Sequence, residues 1–262
     1  VPDDTAVRAP DLRRGVALVT GAARRIGQAI ATRLAAEGFA VVVHASPAST
    51  ADAAETAAAI RAAGGRAEVA VADLADAAAL GGLVAQAAAH AGPLTLLVNN
   101  ASIFEVDEAA SFKVADWDRL MAVNLRAPLV LARDFAAQVP ADAEGAVVNI
   151  TDQRVLRPTP QFFTYALTKS ALWDATRTMA QAFAPRGIRV NAVGPGPVLP
   201  NAALAPEGFA REVAGLPLRR AVSPEEIAEA VVFLATARNV TGQMIAVDAG
   251  QHLAWQTPDI VG

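Results

Sequence analysis

Tyr165 and Lys169 lie four residues apart in "YALTK", and Tyr165 is the only tyrosine in a chain of 262 residues. A lone tyrosine is usually an amphipathic filler at the edge of a core, so its neighbours must argue for more. On a helix, residues four apart stand one above the other on the same face. An ammonium beside a phenol favours the phenolate and lowers its pKa from about 10, giving a proton donor or acceptor usable near neutral pH.

A second constellation lies near the N-terminus. "VTGAARRIG" (19–27) follows an apolar run and opens a segment of helical period. Gly21 permits a tight turn, Gly27 lets the helix pack closely, and free N–H groups at the helix start suit a pyrophosphate. The next apolar run ends "VVVHAS" (41–46) with no acidic residue at its tip, where NAD-preferring folds place a carboxylate for the ribose hydroxyls. Arg24 and Arg25 occupy the loop instead, and guanidinium forks with His44 and the hydroxyl of Ser46 suit a 2′-phosphate. NADP(H) is therefore expected over NAD(H). The alternative is that Arg24 is a solvated surface charge.

These residues need a frame. Short apolar runs recur at 15–20, 40–44, 67–72, 94–100, 146–151, 188–193 and 244–248, several apolar throughout, as expected of strands buried on both faces. Ala-rich segments of helical spacing separate them. The alternation predicts an α/β fold: one Rossmann-like, doubly wound parallel sheet of about seven strands with helices on both faces. Residues 1–12 read as an N-terminal arm and 13–262 as a single domain. The Pro-rich "GPGPVLPNAALAP" from Gly194 to Pro206 is not expected to continue a strand, and the region 194–215 reads as a substrate loop at the sheet edge where ligands bind.

Composition excludes several functions. Lys plus Arg number 22 and Asp plus Glu 26, interspersed, which argues against nucleic acid or an anionic membrane as the main partner. Without cysteine there is no disulfide framework or thiolate site, and three scattered histidines make no metal site. The first residues lack a basic stretch followed by an apolar one, and no apolar run reaches bilayer length, so a cytoplasmic protein is expected.

In order along the chain stand the Thr20-Gly21 loop, "ADL" with Asp73, "NNA" with Asn99 to Ala101, Asn124 in "VNL", Tyr165 and Lys169, "RVNAVGPG" (189–196) and "TGQMIAVDAG" (241–250). In this order and spacing the chain resembles a short-chain dehydrogenase/reductase from about Leu12 to His252. The resemblance implies Tyr165 as catalytic acid, Lys169 as the residue that binds the nicotinamide ribose and tunes the tyrosine, and Asn124 as support for a proton relay through water. It implies Asp73 at the adenine and Asn100 near the adenosine ribose. Cofactor contacts are expected at Gly21, Arg24, Arg25, Ile26, Gly27, His44, Ser46, Asp73, Leu74, Asn100, Ala101, Ser102, Tyr165, Lys169, Pro195 and Gly196. Similar reductases are commonly tetramers, so a homotetramer is expected.

Three positions depart from the general family pattern. Arg25 replaces the middle loop glycine, Ser102 replaces the glycine of "NNAG", and Asp152 stands where most members have a catalytic serine. The trio, with Phe104 in "NNASIF", resembles pteridine and dihydromonapterin reductases. It fits a flat, nitrogen-rich substrate. Phe104 can stack on a pterin, Arg25 and Ser102 can bond its polar edge, and Asp152 can donate if protonated or accept if ionised. Ala249, where a glycine is common, reads as a packing detail.

The leading expectation is an NADPH-dependent reductase of a pterin C=N bond, with Tyr165 as proton donor and Arg25, Ser102, Phe104, Asp152 and Tyr165 at the substrate. The alternatives are a carbonyl reductase of a ketone or 3-oxoacyl thioester, and a non-catalytic NADP(H)-binding protein.

Overall fold

The computed structural model describes residues 14–200 and 206–254. The expected N-terminal arm, and residues 201–205 of the expected substrate loop, lie outside the described residues.

Each apolar run becomes a strand within a residue or two of its reading: β1 Val16–Val19, β2 Ala40–Ala45, β3 Arg66–Val71, β4 Leu94–Asn99, β5 Gly145–Ile150, β6 Ile188–Pro195 and β7 Met244–Val247. All are parallel, in the order β3-β2-β1-β4-β5-β6-β7. The helices are α1 Arg25–Ala36, α2 Thr50–Ala62, α3 Ala77–Ala91, α4 Val114–Met121, α5 Ala127–Gln138, α6 Phe163–Phe183, α7 Pro206–Ala214 and α8 Pro224–Thr236. No helix among the described residues is long and apolar enough to cross a membrane.

The period-two alternation of each strand divides its side chains between two cores. Ala17 and Val19 of β1 face the layer that takes Ile30 and Leu34 from α1, Ala53 and Ala57 from α2, and Ile227 and Val231 from α8. Val16 and Leu18 face Leu80 and Leu83 of α3 and Leu131 and Phe135 of α5. Burying a leucine or phenylalanine completely, as at Leu18, Leu34 and Phe135, is worth about 1.5–3 kcal/mol each. The alanines of α2 let that helix lie close to the sheet.

Strand order reverses between β1 and β4, so the chains leaving them diverge and open a crevice at the carboxyl edge of the sheet. Two local features shape that crevice. The first is a π turn, Ala122–Arg126, between α4 and α5, in which the Ala127 N–H reaches back to the Ala122 carbonyl. The second corrects the expectation for the Pro-rich stretch, because β6 runs on through Gly194 and Pro195, paired with Ala246 and Val247. Proline is tolerated there for a geometric reason. Gly196 N–H donates to the Val247 carbonyl at 3.0 Å, so the nitrogen of Pro195 lies on the other side, where β5 has already ended at Ile150.

Candidate active site

One cavity of about 730 Å³ fills the crevice, and every candidate site residue except Asn124 lines it. At its centre is the β1–α1 loop. Gly21 has φ +62°, and a Cβ there would stand 2.9 Å from Ala101 Cα. A Cβ at Gly27 would stand 2.1 Å from the Gly21 carbonyl oxygen and 2.5 Å from Asn100 Nδ2, so only glycine lets α1 approach. Asn100 Nδ2 donates to the carbonyls of Thr20 and Gly21 at 2.9 and 3.1 Å. Thr20 Oγ1 accepts from the N–H groups of Asn100 and Ala101, each at 3.0 Å. The loop is thus tied to the end of β4.

The start of α1 has no side-chain cap and no acid in its first turn. Its free N–H groups, with Arg25, Ile26 and Gly27 on the cavity wall, fit the pyrophosphate of a dinucleotide. Arg25 itself has φ +56°, which explains why a glycine is usual there; among the described residues its guanidinium donates to the Pro200 carbonyl, at 3.4–3.5 Å. Ala249 has φ +53°. It is therefore a strained backbone position, not the packing detail expected from the sequence.

At the β2 end the expectation for His44 fails. The ring is buried, its Nδ1 accepts from the Gly21 N–H at 3.1 Å, and its Nε2 faces the Ala72 carbonyl at 3.2 Å. Burial lowers its pKa to about 4, only partly offset by the Ala72 bond. A neutral imidazole with both nitrogens taken has no charge or donor left for a phosphate; His44 instead joins the ends of β2 and β3 to the phosphate loop. Arg24 stands at the rim with Ser46 and Ser49, donating to Ser49 Oγ at 3.2 Å and pairing with Asp52 at 3.4 Å. Asp73 and Leu74 form the adjoining wall, with Asp73 Oδ1 accepting from the Ala75 N–H.

At the other end α6 carries Tyr165 and Lys169 on one face. Its first residues have no local cap. Phe162 precedes them with φ +59° and no capping side chain, and Asp107, from a distant segment, accepts from the Thr164 N–H at 3.0 and 3.3 Å and from the Phe163 N–H at 3.3 Å. Lys169 Nζ donates to the Ile150 carbonyl at 2.8 Å and lies 5.6 Å from the Tyr165 ring centroid. Burial lowers its pKa to about 8.

The phenol is not lowered by this lysine. Burial first, then the charge of Asp152 and a hydrogen bond to it, push Tyr165 well above its ordinary value, and Arg154 pulls the other way. The expected tuning by Lys169 is thus outweighed in this arrangement, first by burial and then by the carboxylate at the hydroxyl. Tyr165 Oη donates to Asp152 Oδ2 at 2.9 Å. Arg154 completes the carboxylate's surroundings: its N–H meets Oδ1 at 2.8 Å and its Nη1 stands 3.3 and 3.2 Å from Oδ1 and Oδ2. Asp152 Oδ2 thus accepts from Tyr165 while both carboxylate oxygens face Arg154.

Asn124, expected in a proton relay, is fully buried in the π turn. Its Oδ1 accepts from the Ile103 N–H and its Nδ2 donates to the Ile103 carbonyl, both at 2.8 Å. Its Nδ2 also donates to Thr168 Oγ1 at 3.4 Å, so the side chain fastens the β4 loop, which carries Ser102 and Phe104, to α6.

Phe104 stacks on Phe162, with centroids 4.4 Å apart and planes at 19°, and meets Tyr165 at 90°. Arg154, Phe162, Glu212 and Gln251 also line the cavity; Glu212 falls within the expected substrate loop 194–215, and the sequence reading missed the other three. The aromatic run "QFF" just before Tyr165 was the available signal for Phe162. Nothing in the local pattern marks Arg154.

A family model described as enoyl-(acyl carrier protein) reductase matches residues 21–252. Galactitol 2-dehydrogenase of Rhizobium johnstonii is 38% identical over 244 residues, 89% of this chain and 93% of that protein. Among solved structures, FolM alternative dihydrofolate reductase 1 from Brucella canis, complexed with NADP, is 51% identical with a TM-score of 0.89, covering 94% of this chain and 96% of that one. A short-chain dehydrogenase/reductase from Serratia marcescens is 37% identical with a TM-score of 0.85, covering 91% and 98%. The matching family model and these likenesses cover most of the chain, which belongs to the short-chain dehydrogenase/reductase family, an oxidoreductase family.

Proposed function

We propose that this chain reduces a C=N bond of a pterin with NADPH. The observation that carries the reading is the carboxylate of Asp152, ion-paired with Arg154 and accepting from Tyr165, beside the ring of Phe104. A neutral ketone gives a buried carboxylate nothing to accept, whereas a pterin edge presents ring N–H and amine donors. Likeness to a FolM protein, named an alternative dihydrofolate reductase, supports the same class.

NADPH, when bound, supplies a hydride to the ring carbon. Its pyrophosphate is assigned to the start of α1, its 2′-phosphate to Arg24 and Ser46, its adenine to the wall of Asp73 and Leu74, and its nicotinamide ribose to Lys169. Support comes from the uncapped helix start, from the absence of an acid at the tip of β2, and from the NADP carried by the FolM structure. Pro195 and Gly196 bound the nicotinamide end, where a Cβ at Gly196 would stand 2.6 Å from Asp248 Cα. Tyr165 gives its hydroxyl proton to the ring nitrogen, Asp152 accepts from a second ring N–H or amine, and Phe104 and Ser102 hold the flat ring and its polar edge.

A second reading, a carbonyl reductase, is favoured by the likeness to galactitol 2-dehydrogenase. Initial rates of NADPH consumption with a dihydropterin and with an acetoacetyl thioester at matched concentration decide between them; faster turnover of the thioester would overturn the pterin reading. For assembly, we read a homotetramer, supported by the exposed apolar Val114 and Leu167 on α4 and α6 and by the half-buried edge strand β7. Sedimentation at monomer mass would exclude it.

A further inference from the structure

Arg154 belongs to no motif, yet it holds the substrate end together. Its N–H and Nη1 reach the Asp152 carboxylate at 2.8–3.3 Å. Its guanidinium carbon lies 5.1 Å from the ring centroid of Phe162 and 5.7 Å from that of Phe104. The two side chains of the ion pair are only 17% and 10% exposed. Arg154 Nε is buried without a hydrogen-bond partner among the described residues.

Such a pair does little for stability. Desolvation of two charges offsets most of their attraction, and an unpaired buried N–H subtracts further. The adjoining tyrosine gives it another purpose. When the Tyr165 O–H bond breaks and its proton leaves for the substrate, negative charge appears on an oxygen 2.9 Å from a carboxylate. Two anions that close, in a wall shielded from water, repel strongly. A guanidinium lying against both carboxylate oxygens cancels that repulsion at its source.

We infer that Arg154 is a positioning residue of the reaction: the counter-ion that holds the Asp152 carboxylate in place and lets Tyr165 release its proton beside it. This rests on Tyr165 being the proton donor, as proposed above. The charged groups facing the pair are Lys169 from α6, committed to the Ile150 carbonyl, and, across the cavity, Arg25 from the β1–α1 loop and Glu212 from α7. Among the described residues, hydrogen bonds to the Asp152 side chain come from Arg154 and Tyr165.

The single tyrosine makes the test direct. In the full chain labelled with [ζ-13C]tyrosine, one resonance reports the ionisation of Tyr165. Arg154→Met keeps an apolar stem against the two rings and removes the charge. Its alkaline ionisation step is expected to move up by about one pH unit or more, because Arg154 is the cation that lowers it. At neutral pH kcat is expected to fall at least about tenfold, with KM for NADPH within twofold. Arg154→Lys, which keeps the charge, is expected to return the step most of the way. An unmoved step in Arg154→Met overturns the inference, even if activity is lost, since a merely structural arginine would behave that way. Should Arg154→Met fail to fold, Arg154→Gln takes its place under the same criterion. A moved step without dihydropterin turnover supports the counter-ion role while sinking the pterin reading.

Discussion

The hydroxyl of Tyr165 points to the carboxylate of Asp152, 2.9 Å away, while the ammonium of Lys169 lies 5.6 Å from the centre of the same ring and bonds a backbone carbonyl. Asp152, rather than Lys169, therefore dominates the charge felt by the phenol. Asp152→Ser removes both the charge and the strong acceptor. The kcat/KM for a dihydropterin is expected to fall about a hundredfold or more, and that for a simple ketone less than tenfold. Equal losses on both substrates would remove Asp152 from substrate selection.

Tyr165→Phe keeps the ring and its contact with Phe104 but loses the proton. Steady-state kcat is expected to fall by about two to four orders of magnitude, while the NADPH dissociation constant, measured by fluorescence titration, changes less than threefold. Unaltered turnover would end its assignment as the acid.

Lys169 titrates near 8 in the fold against an ordinary 10.5, because burial disfavours its charge. Between those values the unfolded chain holds a proton there that the folded chain has lost, so the fold gains stability as pH rises. Relative to Lys169→Met, the wild type is expected to gain up to about 1.4 kcal/mol per pH unit across that window. Urea unfolding of both at pH 7.5, 9 and 10 checks it; parallel curves would mean that the ammonium is not desolvated.

His44 gives the opposite end of the pH scale. With its pKa lowered to about 4 from 6.5, the folded chain refuses a proton that the unfolded chain takes, and stability drains away as pH falls through that window. His44→Gln is expected to flatten the decline in melting temperature between pH 6.5 and 4. The same variant is expected to keep the preference for NADPH over NADH, whereas Arg24→Glu lowers that preference about tenfold or more. Loss of preference in His44→Gln would restore the histidine as a phosphate reader.

Ala249→Gly relieves a left-handed alanine. Strain of about 1–2 kcal/mol outweighs an entropic cost of about 0.5–1 kcal/mol, so the melting temperature is expected to rise by a few degrees. A lower melting temperature would show that the alanine methyl contributes packing worth more than its strain.

Much of the fold could be read in advance because its signals are local and repeated. Seven apolar runs gave seven strands, and the Gly21–Gly27 spacing located the phosphate loop. What escaped depends on contacts between distant segments. The fate of His44 turned on an amide at Gly21 and a carbonyl at Ala72, and that of Asn124 on the backbone of Ile103. Pro195 stays in β6 because β5 stops short beside it. Arg154 carries no pattern at all: its meaning lies in a carboxylate two residues back and two aromatic rings from separate stretches of chain.

Tyr165 occupies the first turn of its helix, ordinarily the part that frays, and that turn is held by Asp107, a residue 57 positions before Thr164. The stability of this turn is consequently not that of the sheet. Opening it requires the loss of the Asp107 contacts together with the Tyr165–Asp152 hydrogen bond and the packing of Phe162 and Tyr165 on Phe104, a local event smaller than global unfolding. Heat inactivation can then precede melting, with this turn and its clasp released while the sheet beneath remains intact.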